Sequence, residues 1–404
     1  IMSVKGSIKK DIIKKLYAMK HNNYNKGFSF VKEPVEFDKF TDKDFLQYSL
    51  GATLYMPATK KIISKIINKQ MTHITSMVMC FEDSIKIEDL ERAEDNVIQH
   101  LEKLAQLIEK GTLKYKDIPL IFLRVRNIVQ FRTFSDKLNS KLSNILSGFV
   151  FPKFHSYNAN EYLVFLKNLN TKFNVKLYAM PIFEGDRIAY LETRYQELVN
   201  LKEILTPFKD VILNLRVGGT DFSALFSVRR GINYSVYDIL TVRDCLADIL
   251  NIFGREDDEY TISGPVWEYF LAHNDDDLNY LLNNDVHKTI KRGEPILNDA
   301  IDELLKEVIL DKANGFVGKT IIHPSHAHFV NALQAITREE YEDALQIVTT
   351  TGGVIKSAKS NKMNEINPHK SWAEKVLKRA SAYGVVEDET SFLQMIANSN
   401  KQKK

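Results

Sequence analysis

The chain has almost no cysteine, with only Cys80 and Cys245 among 404 residues. That pair can build neither a disulfide framework nor a cysteine metal site, and such sparse usage suits a reducing cytoplasm. Long apolar runs are missing too. No stretch approaches the roughly 20 residues needed to span a bilayer, and Lys5, Lys9 and Lys10 are followed by no apolar core of the secretory kind. Neither sign of charge dominates: 55 lysines and arginines face 52 acidic residues, for a net charge of +3. The basic runs therefore read as solvated surface, and neither nucleic acid nor membrane is expected as a partner. Internal repeats and low-complexity segments are absent as well. What is present is ordinary globular material, 44% apolar and 26% charged, enough for one large domain or two to three smaller ones. The expectation is a soluble cytoplasmic protein.

From residue 52 onward a rhythm appears in which a short apolar run, polar punctuation and a longer amphipathic stretch alternate. The apolar runs are Ala52–Met56, Ser76–Phe81, Leu120–Leu123, Gly148–Phe151, Leu177–Phe183, Val211–Leu215, Tyr260–Ser263 and Gly315–Ile322. Between them, Ile62–Met71, Glu91–Ile108, Ile188–Leu205 and Val236–Ile252 read as helices. Alternating strands and helices imply parallel pairing. Eight such repeats suit a closed TIM (β/α)₈ barrel, with an open doubly wound sheet as the alternative. Residues 1–50, with weak helical periodicity around Ile12–Leu16, form an N-terminal extension, residues 51–334 the barrel and residues 335–404 a helical C-terminal extension. In that extension Thr337-Arg338-Glu339-Glu340 has the form of a capping box. Thr349–Gly353 breaks the helix it opens, a further helix covers Ser371–Ala382, and the Lys-rich end reads as a frayed tail.

Barrel chemistry collects at the C-terminal ends of the strands, and there the sequence repeatedly places polar residues. Glu82-Asp83 end the second strand, Arg124-Val125-Arg126-Asn127 the third, Lys153 the fourth, Glu184 the fifth and His323 the eighth, with Asp221 following the sixth. So many charges of both signs at one mouth would be costly without a ligand or metal. Glu184 and Asp221 stand one strand–helix–strand unit apart, which puts them on adjacent strand ends. Carboxylates without His or Cys partners suit a hard cation, Mg²⁺ or alternatively Mn²⁺. Gly218-Gly219, ahead of Thr220 and Asp221, lets backbone approach a ligand closely. The competing reading pairs Glu184 with Arg187 and makes Asp221 a helix N-cap. Likewise Lys153 contacts a substrate carboxylate or closes a salt bridge, and His323 is catalytic or a hydrogen-bonding core residue. Arg229-Arg230 and Asp275-Asp276-Asp277 read as solvated surface, and His326 and His328 as part of the helix that follows.

The ordered set of segments resembles the HpcH/HpaI aldolase and citrate lyase β-subunit superfamily over roughly residues 50–380. Leu54-Tyr55-Met56-Pro57, Phe81-Glu82-Asp83, Arg124-Val125, Gly148–Lys153, Pro181–Glu184, Gly218–Phe222, Ser263-Gly264-Pro265 and Gly315–Pro324 are similar, in order, to its strand motifs. The resemblance implies Mg²⁺ at Glu184 and Asp221, enolate stabilisation by Arg124, and acid–base or supporting roles for Glu82 and Asp83. It also implies a homo-oligomer, trimer or hexamer. Departures are Cys80 and Ser263 where the motifs carry Asp, Arg126 for Asn, and Gly51-Ala52-Thr53 for the Arg-Ser before the first strand. In the C-terminal motif Glu365 stands for a substrate-site carboxylate, within Ser360–Glu365. The opening around Gly51–Thr59, with its N-terminal extension, resembles a divergent branch of carbon–carbon bond lyases found in bacterial tellurite-resistance and stress operons. The function implied is Mg²⁺-dependent retro-aldol or retro-Claisen cleavage, or the reverse condensation, of a small hydroxy or keto acid or its CoA thioester. An acyl-CoA thioesterase on the same metal site, and a metabolite-binding barrel without turnover, are the alternatives.

Overall fold

The computed structural model of the chain describes residues 29–256, 260–270, 299–357, 362–388, 391–392 and 394–395. The periodicity near Ile12, the Asp275–Asp277 run, part of the Ser360–Glu365 motif and the Lys-rich end lie outside them. The described chain falls into two compact units, one of Glu36–Glu268 with Asp311–Ala327, the other of the described residues before Glu36, between Glu268 and Asp311, and after Ala327.

The first unit is a TIM barrel. Its strands are β1 (Ala52–Pro57), β2 (Ser76–Cys80), β3 (Leu120–Arg124), β4 (Leu146–Phe151), β5 (Tyr178–Phe183), β6 (Arg216–Val217), β7 (Gly264–Trp267) and β8 (Lys319–Ile321). All pair in parallel, in the order β6-β5-β4-β3-β2-β1-β8-β7. Apolar residues on nearly every position of β2, β4 and β5 reflect burial on both faces, as crossover helices require. Helix Leu90–Glu109 shows the complementary period: Ala93, Val97, Leu101, Leu104 and Ala105 are buried at helical spacing. Inside, Val78, Phe122, Val150, Met180 and Leu213 belong to one core cluster, with Tyr55 packed against it.

Two strands fall outside the apolar runs that the sequence offers for them. Val211–Leu215 forms only isolated bridges, Ile212 to Ala179 and Leu215 to Ile262, and β6 proper begins at Arg216. β7 likewise starts at Gly264, just beyond the expected Tyr260–Ser263. Side chains have taken over from the backbone ladder at this seam. Asn214 donates to Thr261 Oγ1 at 3.3 Å and accepts from Ser263 Oγ at 2.8 Å, leaving Leu215 N to Thr261 O and Ser263 N to Leu215 O as the backbone links.

The second unit includes the helices Arg338–Thr349 and Ile366–Tyr383, packed with two small strand pairs. β9 (Ile336–Thr337) pairs in parallel with β12 (Val385–Val386), and β10 (Val354–Lys356) is antiparallel to β11 (Met363–Glu365). Ile336, Ala344, Ile347, Ala373, Val376 and Ala380 make its core. The capping box is present: Thr337 accepts from Glu340 N at 3.3 Å while Glu340 accepts from Thr337 N at 3.1 Å.

Candidate active site

Parallel strands end together, so the polar residues after β2, β3, β4, β5 and β6 meet. Arg124, the last residue of β3, sits among three carboxylates: Glu82 at 2.7 Å, Glu184 at 3.1 Å and Asp83 at 3.8 Å. Burial disfavours its charge, yet the carboxylates, Glu184 foremost, hold its pKa above the ordinary arginine value. Lys153 follows β4 in the left-handed conformation, at φ 46°. That turn lets one residue serve two carboxylates, its N–H donating to Glu184 Oε1 at 2.8 Å and its Nζ to Glu82 Oε1 at 2.7 Å. The salt bridge foreseen for Lys153 is thus present. Asp83 is pushed up by partial burial, but its hydrogen bond with Glu82 and the cations Lys153 and Arg124 outweigh this and hold it below the usual carboxylate range.

Glu184 is 4% exposed. Burial, with Asp221 nearby, pushes its carboxyl up to about 8 against the pull of Arg124. Both its hydrogen bonds fall on Oε1, and no described residue bonds Oε2. Asp221 is not the N-cap of its helix. Gly218 is, and Asp221 occupies the first turn of Gly219–Leu225. Arg187 pairs with Glu197 at 3.1 Å rather than with Glu184. At Gly218, a Cβ would stand 2.8 Å from Glu184 Oε2 and 3.2 Å from Asp221 Oδ2, so both oxygens face one spot that glycine keeps clear. Two converging carboxylate oxygens, one buried and reluctant to ionise, form the oxygen donor set that a hard divalent cation prefers. The residues present therefore fit such an ion.

Further back, a buried clamp steadies the loop after β5. Glu197 accepts from Ser156 N at 2.8 Å, Ser156 Oγ at 2.7 Å and Arg187 Nε at 3.1 Å, with His155 Nδ1 at 3.3 Å. Partial desolvation pushes its pKa up, but His155, Ser156 and Arg187 win and hold it at about 2. The His155 ring lies against Gly185, where a Cβ would stand 2.0 Å from it.

These ends surround a cavity of about 410 Å³ lined by Asp83, Arg124, Glu184, Gly218, Gly219, Thr220 and Asp221, together with Tyr55, Cys80, Arg216 and Thr320. Thr220 Oγ1 donates to Glu268 at 2.7 Å. His323 does not line the cavity and lies 2.6 Å from Ser325 Oγ through Nδ1. Glu365 belongs to the second unit, exposed on β11. Sequence reasoning missed Tyr55, Arg216 and Thr320 as cavity residues, and the Cys80 and Arg126 departures gain a setting. Cys80 Sγ accepts from Glu82 N at 3.4 Å. Arg126 donates to the carbonyls of Phe81 at 3.1 Å and Ile85 at 2.8 Å, holding the Glu82–Asp83 loop. Arg230 is buried rather than solvated, stacked 4.7 Å from the Trp267 ring.

A family model for carbon–carbon bond lyases of the TIM-barrel fold matches residues 44–385. The chain belongs to that family. This carbon–carbon bond lyase shares 14% identity with a citrate lyase from Burkholderia xenovorans, over 85% of this chain and 94% of that one, at a TM-score of 0.57. The likeness is one of fold. CitE from Mycobacterium tuberculosis, in complex with magnesium, acetoacetate and coenzyme A, is 16% identical over 83% of this chain and 99% of that one, at a TM-score of 0.49. Malate synthase from Haloferax volcanii is 10% identical, covering 75% of this chain and 76% of that one, at 0.48. No curated protein matches the lyase's sequence. Among its described residues no helix is long and apolar enough to cross a membrane.

Proposed function

We propose that this lyase cleaves or forms a carbon–carbon bond in a small hydroxy or keto acid, free or as its CoA thioester, with Mg²⁺ or Mn²⁺ held by Glu184 and Asp221. The convergence of Glu184 Oε2 and Asp221 Oδ2 on the space beside Gly218 carries the reading. Bound there, a divalent cation supplies Lewis acidity to a substrate oxygen. The chain's own residues do the rest. Arg124, tied to Glu82 and Glu184, fixes positive charge where an enolate would develop. Asp83, kept ionised by Glu82, Lys153 and Arg124 and facing the cavity, is the base for a hydroxyl proton. The cavity of about 410 Å³ lies toward the small end for ligand sites and favours a small acid as the reacting part.

The test is a mass-spectrometric product screen. Wild type and Glu184→Gln are each given citramalyl-, malyl- and citryl-CoA and the free hydroxy acids, with and without Mg²⁺. Pyruvate, glyoxylate or oxaloacetate that requires the metal and vanishes in the variant is expected. Product formation that ignores both metal and variant would sink the proposal, and free CoA without a carbonyl product would turn it toward thioester hydrolysis.

A further inference from the structure

Arg124 is surrounded by carboxylates, whereas the other arginine lining the cavity meets none. Arg216, the first residue of β6, is 1% exposed. Its acceptors are three hydroxyls: Thr320 Oγ1 at 2.6 Å, Thr53 Oγ1 at 3.3 Å and Ser263 Oγ at 3.3 Å. Its Nε is buried and bonded to nothing among the described residues. The Tyr55 ring lies 5.4 Å from the guanidinium. Desolvation pushes the Arg216 pKa down, and of the groups beside it only the Tyr55 hydroxyl, not a carboxylate, works against that shift. A guanidinium cannot shed its charge as a lysine can, and an uncompensated buried charge is among the costliest features a fold can carry. Hydroxyl dipoles offset only part of that cost. The mouth is the reverse: Glu82, Asp83 and Glu184 surround the cations Arg124 and Lys153, and Asp221 adds a further carboxylate beside Glu184.

We infer that Arg216 is a binding residue for an anionic group of the substrate, most simply a second carboxylate, held below the Glu184–Asp221 pair. The assignment rests on the proposed site for its location and deepens it by making the substrate a diacid. A carboxylate in the cavity would give the guanidinium the bidentate partner that the protein withholds. With one acid group at the metal and the other at Arg216, the bond to be broken lies between two fixed ends.

Binding of L-malate and L-lactate, which differ by one carboxylate, is measured by calorimetry on the full chain with and without Mg²⁺. Malate should bind wild type at least about tenfold more tightly than lactate, the value of one charge-assisted contact. Arg216→Gln should erase that preference while leaving lactate within about threefold, because lactate lacks the carboxylate that would engage the arginine. Ser263→Asp retains the arginine but gives it an internal carboxylate, and should erase the preference too, so the outcome does not hang on one buried variant folding. Equal affinities in wild type, no malate binding, or a preference that survives in both variants would overturn the inference. A malate preference that persists but ignores Mg²⁺ would leave it standing and remove the metal reading instead.

Discussion

Gly218 and Glu184 are so close that a Cβ added to the glycine would stand 2.2 Å from the Cβ of the glutamate. The contact is side chain against backbone on neighbouring strand ends, and neither partner can step aside without moving β5 or β6. Gly218→Ala should therefore fold but displace Glu184 and lower Mn²⁺ affinity about tenfold or more, since misplacement of a ligand by even 1 Å is felt strongly. A Mn²⁺ titration followed by electron paramagnetic resonance, beside a circular dichroism spectrum, checks it. Unchanged affinity would remove Glu184 as a ligand.

Lys153 has a backbone role that its side chain does not share. Its left-handed turn, at φ 46°, suits glycine and strains a β-branched residue, so Lys153→Gly should be more stable than Lys153→Val by about 1–2 kcal/mol. Urea denaturation of the two variants compares them directly. Equal midpoints would mean that the turn relaxes at no cost.

Lys39 provides a pH signature away from the site. It is buried, donating to the carbonyls of Ser143 at 2.9 Å and Leu146 at 2.5 Å, and desolvation pulls its pKa down to about 7 despite Asp38. The unfolded chain, near 10.5, binds more protons than the folded one between those values. The stability of wild type relative to Lys39→Met should thus rise with pH from about 7 to about 10 and fall as pH drops through 7, levelling off below it. Melting temperatures of both proteins at pH 6, 7.5 and 9 test this, and a constant difference would contradict it.

Removing the Glu197 carboxylate leaves Arg187, His155 and Ser156 facing a buried gap. Glu197→Ala should cost about 3–5 kcal/mol, as for other broken buried pairs. Because its folded pKa, about 2, lies below the ordinary 4.5, this contribution is present above pH 4.5 and lost as pH falls through 2. Chemical denaturation at pH 7 and pH 3 should show the variant's deficit shrinking in acid.

Much of this could be read before any coordinates. The apolar runs at β1 to β5 are interrupted by Pro57, Glu82, Arg124, Pro152 and Glu184, so both the strand ends and the site residues follow from where the runs stop. Thr337 and Glu340 signalled a helix start because a capping box is entirely local. Arg216 carries no such mark. In sequence it is one charge after Leu215, and only barrel closure brings Thr53, Ser263 and Thr320 around it from three other strands or their approaches. The starts of β6 and β7 were misplaced for a related reason, since Asn214 and Ser263 bond through side chains that apolar periodicity does not register. His323 stands at a strand end as expected, but its ring contacts Ser325, a local choice that position alone does not dictate.

The thin seam between β6 and β7 also decides where the barrel wall yields. With a bridge at Leu215 and Ile262 and few backbone links in place of a full ladder, amide protons there should exchange with deuterium ahead of those in β2 and β3, whose ladders run over five residue pairs. Arg216 belongs to that weaker wall and reaches across it to β8 and Ser263. An occupant that engaged its guanidinium would therefore act as a rivet, and slowed exchange at Leu215 and Ser263 would report occupancy without any need to observe turnover.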